Sequence, residues 1–92
     1  MATYFMFGKY SQEGMKGISA ARSTRALALI KKNGGVFKAG YALLGDVDLV
    51  LIMELPDAGQ AMKTSAALAK LIGVSFSTAE ALSMEEFDKL MG

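Results

Sequence analysis

Apolar side chains recur along this chain with two different periods, and the switches between them mark out its elements. Residues Thr3 to Tyr10 (Thr-Tyr-Phe-Met-Phe-Gly-Lys-Tyr) are rich in aromatics and predict a first strand. Ser11 offers an N-cap, and a long helical stretch follows to about Lys32. Ile18, Ala21, Ala26, Leu29 and Ile30 fall mostly on one face of it, with Arg22, Lys31 and Lys32 towards its other faces. Asn33-Gly34-Gly35 ends that helix, because both residue types tolerate a positive φ. Val36 to Leu44 and Val47 to Leu55 read as two strands, joined through a tight Leu44-Gly45-Asp46 connection into a hairpin. Pro56-Asp57 punctuates the chain, and Asp57 with Gln60 resembles a capping box. The second helix then runs to about Ile72, with Ala61, Met62, Leu68, Ala69 and Ile72 as its apolar stripe, and Gly73 stops it. Val74 to Leu82 is a fourth strand. Ser83 and Glu86 form another capping box, opening a short final helix through Phe87, Leu90 and Met91.

This order predicts a single α+β domain over residues 1–92, a βαββαβ unit with a short C-terminal helix. Right-handed crossovers place the two long helices on one face of an antiparallel sheet, with the first and third strands central. A strand covered on one side only should alternate apolar and polar residues, and these central strands do not. Val47, Leu49, Leu51, Met53 and Leu55 oppose Val50 and Ile52, while Phe5 and Phe7 oppose Tyr4, Met6 and Tyr10. The edge strands carry more small or polar residues on one side: Lys38, Gly40 and Ala42 in one, Ser75, Ser77, Ala79 and Ala81 in the other. An open apolar face of this kind exceeds the few hundred Å² that monomers usually leave in water. A second copy packed face to face around a two-fold axis would cover it. At roughly 25 cal/mol per Å² of apolar area, that would offset much of the deficit of so small a domain. The alternative cover is the final helix, through Phe87, Leu90 and Met91.

Composition narrows the chemistry. The chain of 92 residues has no cysteine, which removes disulfides, thiolate nucleophiles and cysteine metal sites, and no histidine, which removes the commonest neutral-pH acid/base, metal ligand and haem ligand. No carboxylate cluster stands in for them, so no metal site and no cofactor are expected. The formal charge of +1 is spread without a basic face, and the aromatics lack the glycine-aromatic pattern of an RNA-stacking platform, so no nucleic-acid partner is expected. The first residues lack the basic flank of a signal peptide, and the longest apolar run, Leu49 to Met53, is too short to span a bilayer. The expectation is a cytoplasmic protein that does not enter the membrane. Its hydrophobic content of 52% is high for a chain of this length, which again demands extra burial.

Several short segments carry a family resemblance. They are Thr3-Tyr4, Tyr10-Ser11-Gln12-Glu13-Gly14, Gly34-Gly35, Leu44-Gly45-Asp46-Val47-Asp48-Leu49-Val50 and Pro56-Asp57. With these the chain resembles the GYD domain family over nearly its whole length. Val47 stands where the family's name-giving pattern has tyrosine, so no role for a tyrosine transfers to that position. The resemblance implies a ferredoxin-like subunit of the dimeric α/β-barrel type and brings no established activity with it. Similar barrels serve as monooxygenases, isomerases and ligand sensors, among which fold alone does not choose.

Asp48 is the foremost candidate carboxylate. It is read either as a buried base or substrate anchor at the barrel mouth, or as a turn residue bonding backbone amides in the hairpin. Lys9, Tyr10 and Tyr41 are polar-tipped groups that with Asp48 could line a pocket, or else solvated tips on core side chains. Arg22, with Arg25, offers an anion clamp or a solvated helix face, and Met6, Met53 and Met62 offer either an adaptable apolar pocket or core filling. Three functional readings follow. The first is a homodimeric barrel that binds a small apolar or aromatic ligand between sheet and helices. The second is a cofactor-independent monooxygenase- or isomerase-like enzyme using Tyr10, Tyr41, Lys9 or Asp48. The third is an oligomeric regulatory or assembly module without a small ligand.

Overall fold

In the computed structural model, which describes residues 1–92, the elements run β1 (Ala2–Tyr10), α1 (Gln12–Lys16), α2 (Ala20–Lys32), β2 (Val36–Ala42), β3 (Leu49–Leu55), α3 (Ala58–Ile72), β4 (Val74–Ala81) and α4 (Met84–Met91). The helix starts are set by side-chain caps that satisfy otherwise orphaned amides. Ser11 Oγ accepts from Gly14 N at 2.9 Å, Asp57 Oδ1 from Gln60 N at 2.8 Å and Ser83 Oγ from Glu86 N at 3.0 Å. Gly73 closes α3 in the left-handed region, with φ of 76°.

The sheet order is β2-β3-β1-β4, with every neighbouring pair antiparallel. β1 and β3 are central, as the pattern predicts. Across them Tyr4 pairs with Met53, Met6 with Leu51 and Gly8 with Leu49 on the helix-covered side, while Phe5 pairs with Ile52 and Phe7 with Val50 on the other. The covered side meets α2 and α3 in one core in which Met6, Ile30, Met53, Leu55 and Leu68 are almost wholly buried. Each such side chain contributes roughly 1.5–3 kcal/mol by leaving water. Met62, expected in this stripe, is instead exposed, because Ala61, Thr64, Leu68 and Ile72 already define the inward face of α3 at helical spacing.

Three local expectations are corrected. The first helical stretch is two helices: α1 ends at Gly17, and Ser19 caps a new start by accepting from Arg22 N at 3.1 Å. The break at Gly17 makes room for the Arg22 side chain, since a Cβ there would stand 2.7 Å from Arg22 Nη1. The hairpin connection is the loop 43–48 rather than a tight turn. It is closed by Leu43 N donating to Asp48 O at 2.8 Å, while Asp48 N turns away to Gly8 O at 2.8 Å. In β2 the pairing with β3 shifts between Phe37 and Ala39, so Lys38 leaves the alternation and no longer shares a side with Gly40 and Ala42. Its Nζ lies 3.7 Å from Glu54 Oε1, an exposed pair that contributes little.

The other sheet face carries Phe5, Phe7, Val50 and Ile52 at its centre; α2 and α3 pack on the opposite face, and of these four residues only Val50 is buried. Phe7 remains 37% exposed. α4 does not serve as its cover: all eight of its residues are exposed, Phe87, Leu90 and Met91 among them. The molecule measures 48 × 30 × 19 Å along its principal axes. No helix is long and apolar enough to cross a membrane.

Candidate functional site

The site is built where α2 lies over the β2-β3 half of the sheet. In β2, Gly40 and Ala42 pair with Leu51 and Leu49 on the helix side. These two small residues leave space that larger ones would fill. The result is a cavity of ≈ 350 Å³, with eleven hydrophobic residues among its fifteen lining residues. Leu49, Leu51 and Ile72 form its inner wall, and Ala26 and Ile30 of α2 its roof. Ile18, Leu27 and Phe37 border it while remaining exposed, so an apolar rim opens to water.

Arg22 is the one charged residue in the lining. Its expected place on a solvated helix face is corrected: it is only 8% exposed. The spacing explains why, since Arg22, Ala26 and Ile30 recur every four residues and form the buried stripe of α2. Nη1 donates to the Gly14 carbonyl at 2.7 Å, and the guanidinium carbon stands 5.8 Å from the centre of the Tyr10 ring. That distance allows a cation–π attraction. No carboxylate forms an ion pair with it; the ion pairs of the chain are Lys16–Glu13, Lys38–Glu54 and Lys89–Glu85.

The other candidate residues are distributed as follows. Tyr10 lines the cavity beneath Arg22, and its backbone N donates to Asp48 Oδ2 at 2.9 Å. Asp48 thus takes the place of a ladder acceptor at the end of the β1–β3 pairing; its side chain and both its backbone polar groups are bonded to backbone. Tyr41 pairs with Val50, projects to the uncovered face at 59% exposure and borders the cavity from the edge strand. Lys9 is exposed in register with Ser75, on the side of β1 away from Tyr10. Lys9, Tyr10, Tyr41 and Asp48 therefore do not converge on one point. Met6 and Met53 are sealed in the core and do not line the cavity. Ser19 and Ser23, at the mouth, and Leu27 and Phe37 were not singled out by sequence reasoning. The i, i+4 spacing of Ser19, Ser23 and Leu27 is the signal that places them on one edge of α2. No group of three or more carboxylates is placed to hold a metal.

A second polar device lies at the far side of the core. The Tyr4 hydroxyl donates to Glu80 Oε1 at 3.3 Å. Burial, then the Glu80 charge, the hydrogen bond to it and the Asp57 charge, raise the phenol above its ordinary value of 10.0.

A four-stranded antiparallel sheet ordered β2-β3-β1-β4, with α2 and α3 on one face, defines a ferredoxin-like α+β fold. Solved structures share it. The Mycobacterium tuberculosis leucine response regulatory protein LrpA superposes with a TM-score of 0.60 at 11% identity, over 89% of this chain and 51% of that one. The crystal structure of a glutamate-to-alanine mutant gives 0.59 at 12% identity, over 89% of this chain and 50% of that one. The chain thus spans about half the length of these neighbours. No curated protein matches it significantly. The chain belongs to the GYD domain family, whose model matches residues 4–91.

Proposed function

We propose that this chain is a homodimeric binding module for a small apolar or aromatic molecule, taken up between α2 and the β2-β3 half of the sheet. The observation that carries the reading is the cavity of ≈ 350 Å³ with its predominantly apolar lining and exposed apolar rim. Its size falls at the lower end of the range usual for small-molecule sites, and such sites join an apolar wall to a few fixed polar groups. Here Arg22, Tyr10, Ser19 and Ser23 are those groups.

The homodimer is supported by the face of β1 and β3 turned away from the helices, where Phe5, Phe7 and Ile52 remain partly or largely open to water although Val50 is buried. A second copy of the same face is self-complementary about a two-fold axis. The cysteine-free composition suits the cytoplasm, where we place the protein. Lys9 lies away from the cavity, so no observation favours an enzymatic reading built on it.

The test is a thermal-shift screen of small aromatic and aliphatic molecules, followed by native mass spectrometry and chemical-shift mapping of the hits. Binding with perturbation of Leu27 and Phe37 resonances is expected. A screen without hits, together with a cavity that closes in solution, would remove the reading.

A further inference from the structure

The polar end of the cavity is unbalanced. Arg22 is 8% exposed, and burial of a cation without a counter-charge is costly. Of its five N–H groups, only one, on Nη1, has an acceptor within the protein, the neutral carbonyl of Gly14. No buried side-chain nitrogen is fully cut off from solvent without a partner, so the remaining donors keep some solvent access, and Arg22 lines the cavity. Position adds to the imbalance. Arg22 occupies the first turn of α2, which carries no acidic residue there, and a cation at that end opposes the helix dipole. Tyr10 beneath the guanidinium and the Gly14 carbonyl hold it in place without neutralising it.

From this we infer that the cavity takes a monoanionic ligand, a carboxylic acid with an apolar or aromatic body, whose carboxylate pairs with Arg22. The inference rests on the ligand-binding reading above and names the class of ligand. A planar carboxylate matches the guanidinium fork, and its charge compensates the buried cation. A phosphate dianion fits worse, because Arg22 is the sole charged residue of the lining. The hydrocarbon part of the ligand lies against Leu49, Leu51 and Ile30, and the Ser19 and Ser23 hydroxyls stand near the same end as Arg22.

The probes are 4-phenylbutyrate and decanoate, each against its matching alcohol, titrated by calorimetry and by amide chemical shifts into the intact chain. The wild-type protein is expected to prefer each carboxylate by about tenfold or more, the discrimination of a charge-assisted hydrogen-bonded pair. Arg22→Met keeps the apolar stem, and in it the preference is expected to fall to near unity while the alcohol still binds. Equal binding of acid and alcohol by the wild type overturns the assignment to carboxylates yet leaves the apolar cavity as a binding site. The wild-type comparison needs no variant to fold. A preference that survives in a folded Arg22→Met protein overturns the role of Arg22. Failure of all four probes to bind overturns this inference and counts against the ligand-binding reading as well.

Discussion

Gly14 of α1 lies directly against Gly73, the residue that ends α3. A Cβ on Gly73 would stand 2.6 Å from Gly14 Cα, and one on Gly14 would overlap the Gly73 carbonyl. That carbonyl also accepts from Ser11 N at 2.9 Å and Ser11 Oγ at 3.1 Å, so the end of β1 and the end of α3 are fastened at one point. Gly14→Ala is therefore expected to cost at least about 2 kcal/mol, the upper range for forcing a methyl group into filled space. Urea denaturation checks it: the midpoint should fall at unchanged slope. Because the Gly14 carbonyl holds Arg22, the same variant should also disturb the cavity end of α2.

Asp48 joins strands rather than standing free. Removing its side chain leaves the Tyr10 amide without an acceptor, so Asp48→Ala should destabilise by about 1–2 kcal/mol. Asp48→Asn keeps a carbonyl oxygen in reach and should lose less than about 1 kcal/mol. Equal losses in the two variants, measured by chemical denaturation, would show that the bond to Tyr10 does not account for the effect.

Tyr4 predicts an alkaline slope. Its phenol holds the proton more tightly in the folded state, because burial and the Glu80 carboxylate disfavour the phenolate. Between the unfolded value, about 10, and the higher folded value, the folded chain binds more protons than the unfolded one. Stability from this source is thus complete below the unfolded value and is lost as pH rises through the folded one. The urea midpoint of wild type should drop more steeply between pH 9 and 11 than that of Tyr4→Phe, with pH steps taken about half a unit apart. Parallel profiles would exclude this contribution.

Phe7 lies at the centre of the uncovered sheet face, in register with Val50 and Ser77. For the proposed homodimer, Phe7→Lys should give a folded monomer by light scattering at micromolar concentration, with an unchanged far-ultraviolet spectrum. A dimer that survives this change pairs through another surface.

The order of elements, the central pair of strands and the two faces of β1 and β3 were legible because period-two and period-3.6 patterns are strong over these segments. The resemblance carried by Gly45, Asp46 and Asp48 reached the family. The cavity was not legible, and the reasons are local. Arg22 reads as a solvated charge, and only its spacing with Ala26 and Ile30 shows it on the buried stripe. Gly17 looks like a mere flaw in a helix until the guanidinium beside it is seen. The shift at Lys38 reverses the side taken by the residues after it, and it is this that brings Gly40 to the helix side together with Phe37. A one-residue displacement of this kind has no signature in an apolar pattern.

The same extra residue in β2 limits how the sheet can grow. An outer strand offers a row of free amides and carbonyls, the usual template for ribbons and fibrils. Here that row loses its even spacing in the middle and carries a lysine ammonium at the break. A neighbouring strand could follow it for only a few residues before falling out of step. Lateral polymerisation along this border is thereby discouraged.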